Sequence, residues 1–137
     1  MDYRVILYHK QATSARTRFV KFEGNTILGF SPVARLAQVD DTKSGNTHLH
    51  PSAILRETEK RLDLEYESLE AEPEFQHSID IPDEVVQVIL ARITTMDPPF
   101  DEVVNLGGSF IDLTQARGLP PVELELLRHA YELILGG

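Results

Sequence analysis

His48-Leu49-His50-Pro51 sets two imidazoles two residues apart. Pro51 disfavours the α region for His50 and drives it towards an extended backbone. Alternate residues of an extended segment project to one side. His48 and His50 can therefore share one Zn²⁺ or similar divalent ion, with Asp40 and Asp41 as further ligands. That chemistry describes a small metal-binding protein or a metal-dependent hydrolase. Against it, two imidazoles do not complete a site, and neither the helical H-E-x-x-H spacing nor any cysteine-based ligand pattern occurs. The alternative is a pair of solvated or helix-capping histidines in a protein without a cofactor. His9, His77 and His129 stand apart from one another in the sequence and read as surface or packed side chains.

A second set of candidates is basic. Residues 1–36 carry six basic side chains and two acids, a net of +4, whereas the rest of the chain nets −13 within a total of −9. Aromatic residues interleaved with basic ones on a sheet can stack bases and contact phosphates. Tyr8, Arg16, Arg18, Phe19 and Phe22 fit that description, and Arg16, Arg18 and Lys21 would form the binding surface. The ordinary account of the same pattern is a half-buried antiparallel sheet, with aromatics towards the core and charges towards water. The RNP-type pattern of an RNA-recognition module is missing, and an acidic protein repels nucleic acid in bulk. Nucleic acid is therefore not the expected partner.

The acids between Asp63 and Glu84 number nine, with no Lys or Arg among them. A Ca²⁺ loop needs a glycine at its sharp turn, and residues 63–84 contain none. Paired-carboxylate chemistry needs a fixed separation and divergent pKa values, which spacing in the chain does not supply. A solvated acidic face is the simpler reading.

The third set is apolar. Leu119-Pro120-Pro121 introduces a helix over about 121–135, closed by Gly136. Val122, Leu126, Leu127, Ala130, Tyr131 and Ile134 form one stripe of it. Leu124, Leu133 and Leu135 widen the apolar surface beyond that stripe. Such a helix is either buried on more than one side or offers its excess face to another protomer or partner.

Other elements must position these groups. Tyr3–Tyr8 is short, β-branched and aromatic, which predicts a strand. Thr17–Phe22 alternates, with Phe19 and Lys21 on one face and Arg18, Val20 and Phe22 on the other. Glu23-Gly24-Asn25 reads as a hairpin turn and Thr26–Phe30 as the returning strand. Pro51 opens a helix that reaches the mid-60s. Pro73 breaks the following acidic passage before a strand at about 74–81. Residues 85–95 have helical spacing but are dominated by β-branched side chains, which predicts a strand paired with 74–81. Pro98-Pro99 and Gly107-Gly108 punctuate a short helix.

The expected fold is α+β in a single domain, 1–137. It comprises an N-terminal antiparallel β-meander, a central helix, a β-hairpin and C-terminal helices packed on the sheet. With 137 residues, no cysteine, no secretory pattern and no apolar run of membrane-spanning length, a cytoplasmic protein with no membrane contact is expected. No catalytic signature is present. The function expected is that of a small non-enzymatic accessory or regulatory domain, acting through a protein partner or self-association, including dimer formation.

Overall fold

The computed structural model describes residues 2–11, 16–29, 38–40, 51–81 and 84–136. The chain is α+β, with the strands in one mixed sheet and helices against it. In chain order these are β1 (Asp2–Lys10), β2 (Thr17–Lys21), β3 (Gln38–Asp40), α1 (Pro51–Leu62), β4 (Leu69–Ala71), β5 (His77–Ile81), β6 (Glu84–Ile93), α2 (Phe100–Asn105), β7 (Ser109–Ile111) and α3 (Pro121–Gly136). A 3-10 turn, Leu113–Gln115, lies between β7 and α3.

The sheet runs β3-β5-β6-β1-β2-β7. Its centre is the parallel pair β1 and β6, in register from Asp2↔Val86 to Tyr8↔Arg92. The other pairings are antiparallel. β6 explains its own ambiguous sequence. Val86, Val88 and Leu90 face one core, while Ile89, Ala91 and Ile93 face another. A strand buried on both sides must be apolar at nearly every position, which erases the alternation that marks a half-buried strand. The pairing with β5 expected for this segment is present, from His77↔Val88 to Ile81↔Glu84.

The far half of β6 pairs with β4 along the same edge, Leu69↔Ile93 to Ala71↔Ala91. Pro73 sits between these two partners of β6, where no ladder bond is asked of it. The Glu72 N–H still donates to the Leu90 carbonyl at 2.8 Å, so the edge is interrupted only beyond that residue.

The two cores define the layers. On one face α3 covers Ile6, Tyr8, Phe19, Ile79, Val88 and Leu90 with Leu126, Leu127 and Ala130. On the other, α1 and α2 cover Val5, Leu7, Val20, Phe22, Ile89 and Ile93 with Leu55, Leu62 and Val103. Both of these helices end in paired bonds that close the last turn. Asp63 (φ 55) donates its N–H to Lys60 and Leu64 to Glu59. Gly107 (φ 79) donates to Val104 and Gly108 to Val103. This is the Schellman arrangement, which needs a left-handed residue after the cap. Glycine takes that place in α2, and an aspartate does so in α1.

The N-terminal segment departs from a simple meander. The β1–β2 hairpin is antiparallel as expected, and the Phe22↔Thr26 bridge closes the Glu23-Gly24-Asn25 turn. The returning segment is not a ladder, however, and among the described residues its one backbone bridge to β1 is Val5↔Gly29. The cause is a side chain 96 positions away. The Glu123 carboxylate accepts the Ile27 N–H at 2.7 Å and the Thr26 hydroxyl at 2.8 Å, while Thr26 Oγ1 accepts the Leu28 N–H at 3.0 Å. Amides engaged in this way are not available to a neighbouring strand. Ile27 and Leu28 are both fully buried as a result.

Candidate interaction surface

The outer side of α3 is built by the same residues that anchor its inner side. Leu126, Leu127 and Ala130 go into the core, so a 3.6-residue period turns Leu124, Arg128, Glu132 and Leu135 outward. The 3-10 turn lies beside them. Asp112 caps it, accepting the Thr114 N–H, while the Gln115 side chain accepts the Asp112 N–H. The Thr114 hydroxyl, donating at 2.6 Å, leads the contacts that hold the Asp112 carboxyl below the usual range. Arg16 lies 3.6 Å from the same carboxylate.

Between this turn and α3 runs an open groove of about 670 Å³. Its apolar lining comes from Leu113, Ala116, Leu124, Leu127, Tyr131 and Leu135, and its rim carries Arg117, Arg128 and Glu132. Leu135 is 60% exposed, Leu113 45% and Leu124 37%. Of the three leucines singled out from the sequence, the structure therefore brings Leu124 and Leu135 together on one surface. Leu133 lies elsewhere. It packs against the core beneath α3, because nine residues from Leu124 is half a turn out of phase. Leu113 and Ala116 were not foreseen, since only the fold brings 113–117 alongside 124–135.

The basic candidates do not share a face. Lys21 follows Phe19 towards the α3 side, while Arg18 follows Val20 towards the α2 side. Arg18 donates to Gln11 Oε1 at 3.1 Å and stands 5.7 Å over the Phe100 ring. Arg16 is the residue beside Asp112. Tyr8, Phe19 and Phe22 are all buried, so none of these rings is on the surface to stack on a base.

His48, His50 and Asp41 lie outside the described residues, as does the side chain of Asp40, whose backbone belongs to β3. Among the described residues there is no group of three or more His, Asp or Glu side chains arranged to hold a metal ion. Two of the remaining histidines do meet. His77 of β5 and His129 of α3 stack at 4.4 Å between ring centroids, with Phe75 edge-on to His77 at 4.7 Å. Fifty-two positions separate them in the chain, and no local signal announces the contact. His9 is fully buried, and its Nε2 lies 2.7 Å from the Thr95 carbonyl.

Two polar clusters bind the acidic middle to the sheet. Tyr8, Arg92 and Glu70 lie side by side on β1, β6 and β4. The Tyr8 hydroxyl donates to Glu72 at 2.6 Å, and Arg92 pairs with Glu70 at 2.9 Å. Burial, reinforced by the Glu72 carboxylate, pushes the Tyr8 phenol up. In the second cluster, buried Glu59 accepts the Glu67 and Leu69 N–H groups at 3.1 and 3.0 Å and pairs with Arg56 at 2.9 Å. Arg56 also donates to the Leu69 carbonyl at 2.8 Å and covers the Tyr66 ring. Both clusters serve to position strands. Among the described residues, no helix is long and apolar enough to cross a membrane.

No protein-family model matches this sequence, and no curated protein matches it significantly.

Proposed function

We propose that this chain is a small non-enzymatic accessory or regulatory domain that works by binding a polypeptide, and that it binds along the outer side of α3. The observation that carries the reading is the groove between α3 and the 113–117 turn. It is apolar along its floor, open to solvent and charged at its rim. Isolated leucines on a protein surface need no explanation, whereas a contiguous apolar groove with a polar rim is the usual form of a docking site. The occupant that fits is a helix with one apolar stripe and charges beside it, laid parallel to α3 as in helix-in-groove recognition. Rim charges set orientation, and buried leucines supply most of the affinity, roughly 1.5–3 kcal/mol for each side chain fully covered.

The test is a photo-crosslinking amino acid placed at position 135, with Glu57 on the solvent side of α1 as the control position. The expected result is a protein adduct from position 135 that disappears when Leu124→Asp is introduced as well. Equal yields from both positions, or an adduct indifferent to Leu124→Asp, would show that this face binds nothing specific.

A further inference from the structure

The groove supplies its own candidate occupant. Resting on the reading that this face binds a helix, we propose that the helix is α3 of a second copy, packed antiparallel across a two-fold axis at the level of His129 and Ala130. The exposed stripe is symmetric about that point in the sequence. Leu124 of one copy lies opposite Leu135 of the second, and Arg128 lies opposite the second copy's Tyr131. Leucine then meets leucine at both ends.

The charges select the same arrangement. Arg128 and Glu132 are exposed, one turn apart on the same flank of α3. No ion pair joins them, and among the described residues neither has a partner. A two-fold axis crossing the helices brings this flank against the same flank of the second copy, as an isologous interface requires. Arg128 then comes within one residue's rise, about 1.5 Å along the helix, of the second copy's Glu132, and the pair forms twice. A parallel arrangement carries this flank of the second copy to the far side of the interface, so neither Arg128–Glu132 pair forms and the centre of the seam sets Arg128 nearest to Arg128. Like charges so placed work against it.

α3 has 16 residues and is about 24 Å long. A face one helix wide on that length falls short of the roughly 800 Å² each partner buries in a standard interface. An interface of that size belongs with weak, transient encounters, so the dimer is reversible.

Sedimentation equilibrium of the full chain over a concentration series tests this. The wild type is expected to show a reversible monomer–dimer equilibrium. Arg128→Glu and Glu132→Arg should each weaken it by at least about tenfold, because each creates like-charge contacts. An equimolar mixture of the two variants should recover the dimer, since every swapped side chain then faces its opposite. A wild type that stays monomeric overturns the proposal. So does a dimer indifferent to both variants, or a mixture no stronger than its components. Both positions are exposed, and circular dichroism of each variant confirms that the fold is intact. If the wild type is monomeric yet still gives the Leu124-dependent adduct to a different protein, the second copy is excluded and the docking face stands. If no such adduct forms while the charge swap succeeds, the dimer stands as the sole occupant of the face.

Discussion

Replacing Glu123 tests how α3 is fastened to the rest of the molecule. Its carboxylate lies in the first turn of α3, fully buried, and accepts the Ile27 N–H and the Thr26 hydroxyl. Glu123→Ala leaves the Ile27 N–H buried without a partner and the Thr26 hydroxyl with only a long contact to the Leu28 carbonyl at 3.5 Å, at about 1–3 kcal/mol each. The native carboxyl carries a burial cost of its own, so part of that loss is returned and about 2–4 kcal/mol remains. For a chain of 137 residues, 1 kcal/mol corresponds to about 3–4 °C. A drop in Tm of about 7–14 °C is expected by calorimetry or circular dichroism. Glu123→Gln keeps an acceptor for the Ile27 amide and should cost about 1 kcal/mol.

The pH dependence gives a second readout. Burial outweighs the two hydrogen bonds and holds the Glu123 carboxyl above its usual 4.5. A carboxyl raised in the folded state keeps its proton more readily there than in the unfolded chain. Its contribution to stability is complete below about pH 4.5 and is lost as pH rises through the raised folded value. Glutamine does not titrate, so the stability of the wild type relative to Glu123→Gln should fall as pH rises above 4.5. A difference that is flat or grows with pH, or a loss below about 1 kcal/mol for Glu123→Ala, would show that this carboxyl does not fasten α3 to the 26–28 segment.

Four further substitutions examine the framework of the fold. A Cβ on Gly108 would lie 2.7 Å from the Lys21 carbonyl oxygen, whereas one on Gly118 would meet nothing closer than 3.6 Å. Thermal melts should therefore show a loss of about 1–3 kcal/mol for Gly108→Ala and little change for Gly118→Ala. Glu59→Ala takes the acceptor from the Glu67 and Leu69 amides and leaves Arg56 to the Leu69 carbonyl. Hydrogen exchange at Leu69 should accelerate, with a loss of about 2–4 kcal/mol, and unchanged protection there counts against the clamp. In an alkaline titration followed by tyrosinate absorbance, Tyr8→Phe should leave the folded-state curve unaltered. Tyr8 is held above its usual value of 10.0, so its stabilising contribution is present below about pH 10 and fades only as pH rises towards that higher folded value. Loss of an ordinary tyrosine step in the variant contradicts this.

Local patterns carried several elements and failed at long-range ones, for physical reasons visible in particular residues. α3 was legible because its apolar spacing and its proline and glycine punctuation agree. α2 was legible for its closing glycines, which the Schellman bonds at Gly107 and Gly108 explain. β6 looked half helical, since a doubly buried strand has no polar face to reveal its period, and β-branching was the surviving signal. The parallel pairing of β1 with β6 has no local signature, because 84 positions separate Asp2 from Val86. The same holds for Glu123 reaching Ile27 and for His77 stacking on His129. At the groove, composition announced an excess of leucine on α3, but not which leucines share a surface. Angular position separates Leu133 from Leu124 and Leu135, and that much was in the sequence. Leu113 and Ala116 joined them only through β7 and its capped turn. The charge split dissolved on a similar point, since Arg18 and Lys21 project to opposite sides of a sheet covered on both faces.

A docking face on α3 must be covered when the protein acts. The chain has no cysteine, so Leu135→Cys and, as a control, Glu57→Cys each introduce a single thiol for a maleimide to report. Alkylation at position 135 should be fast in dilute purified protein and several-fold slower in concentrated protein or in the cell, while position 57 reacts equally under all conditions. Equal rates at both positions throughout would contradict the docking face.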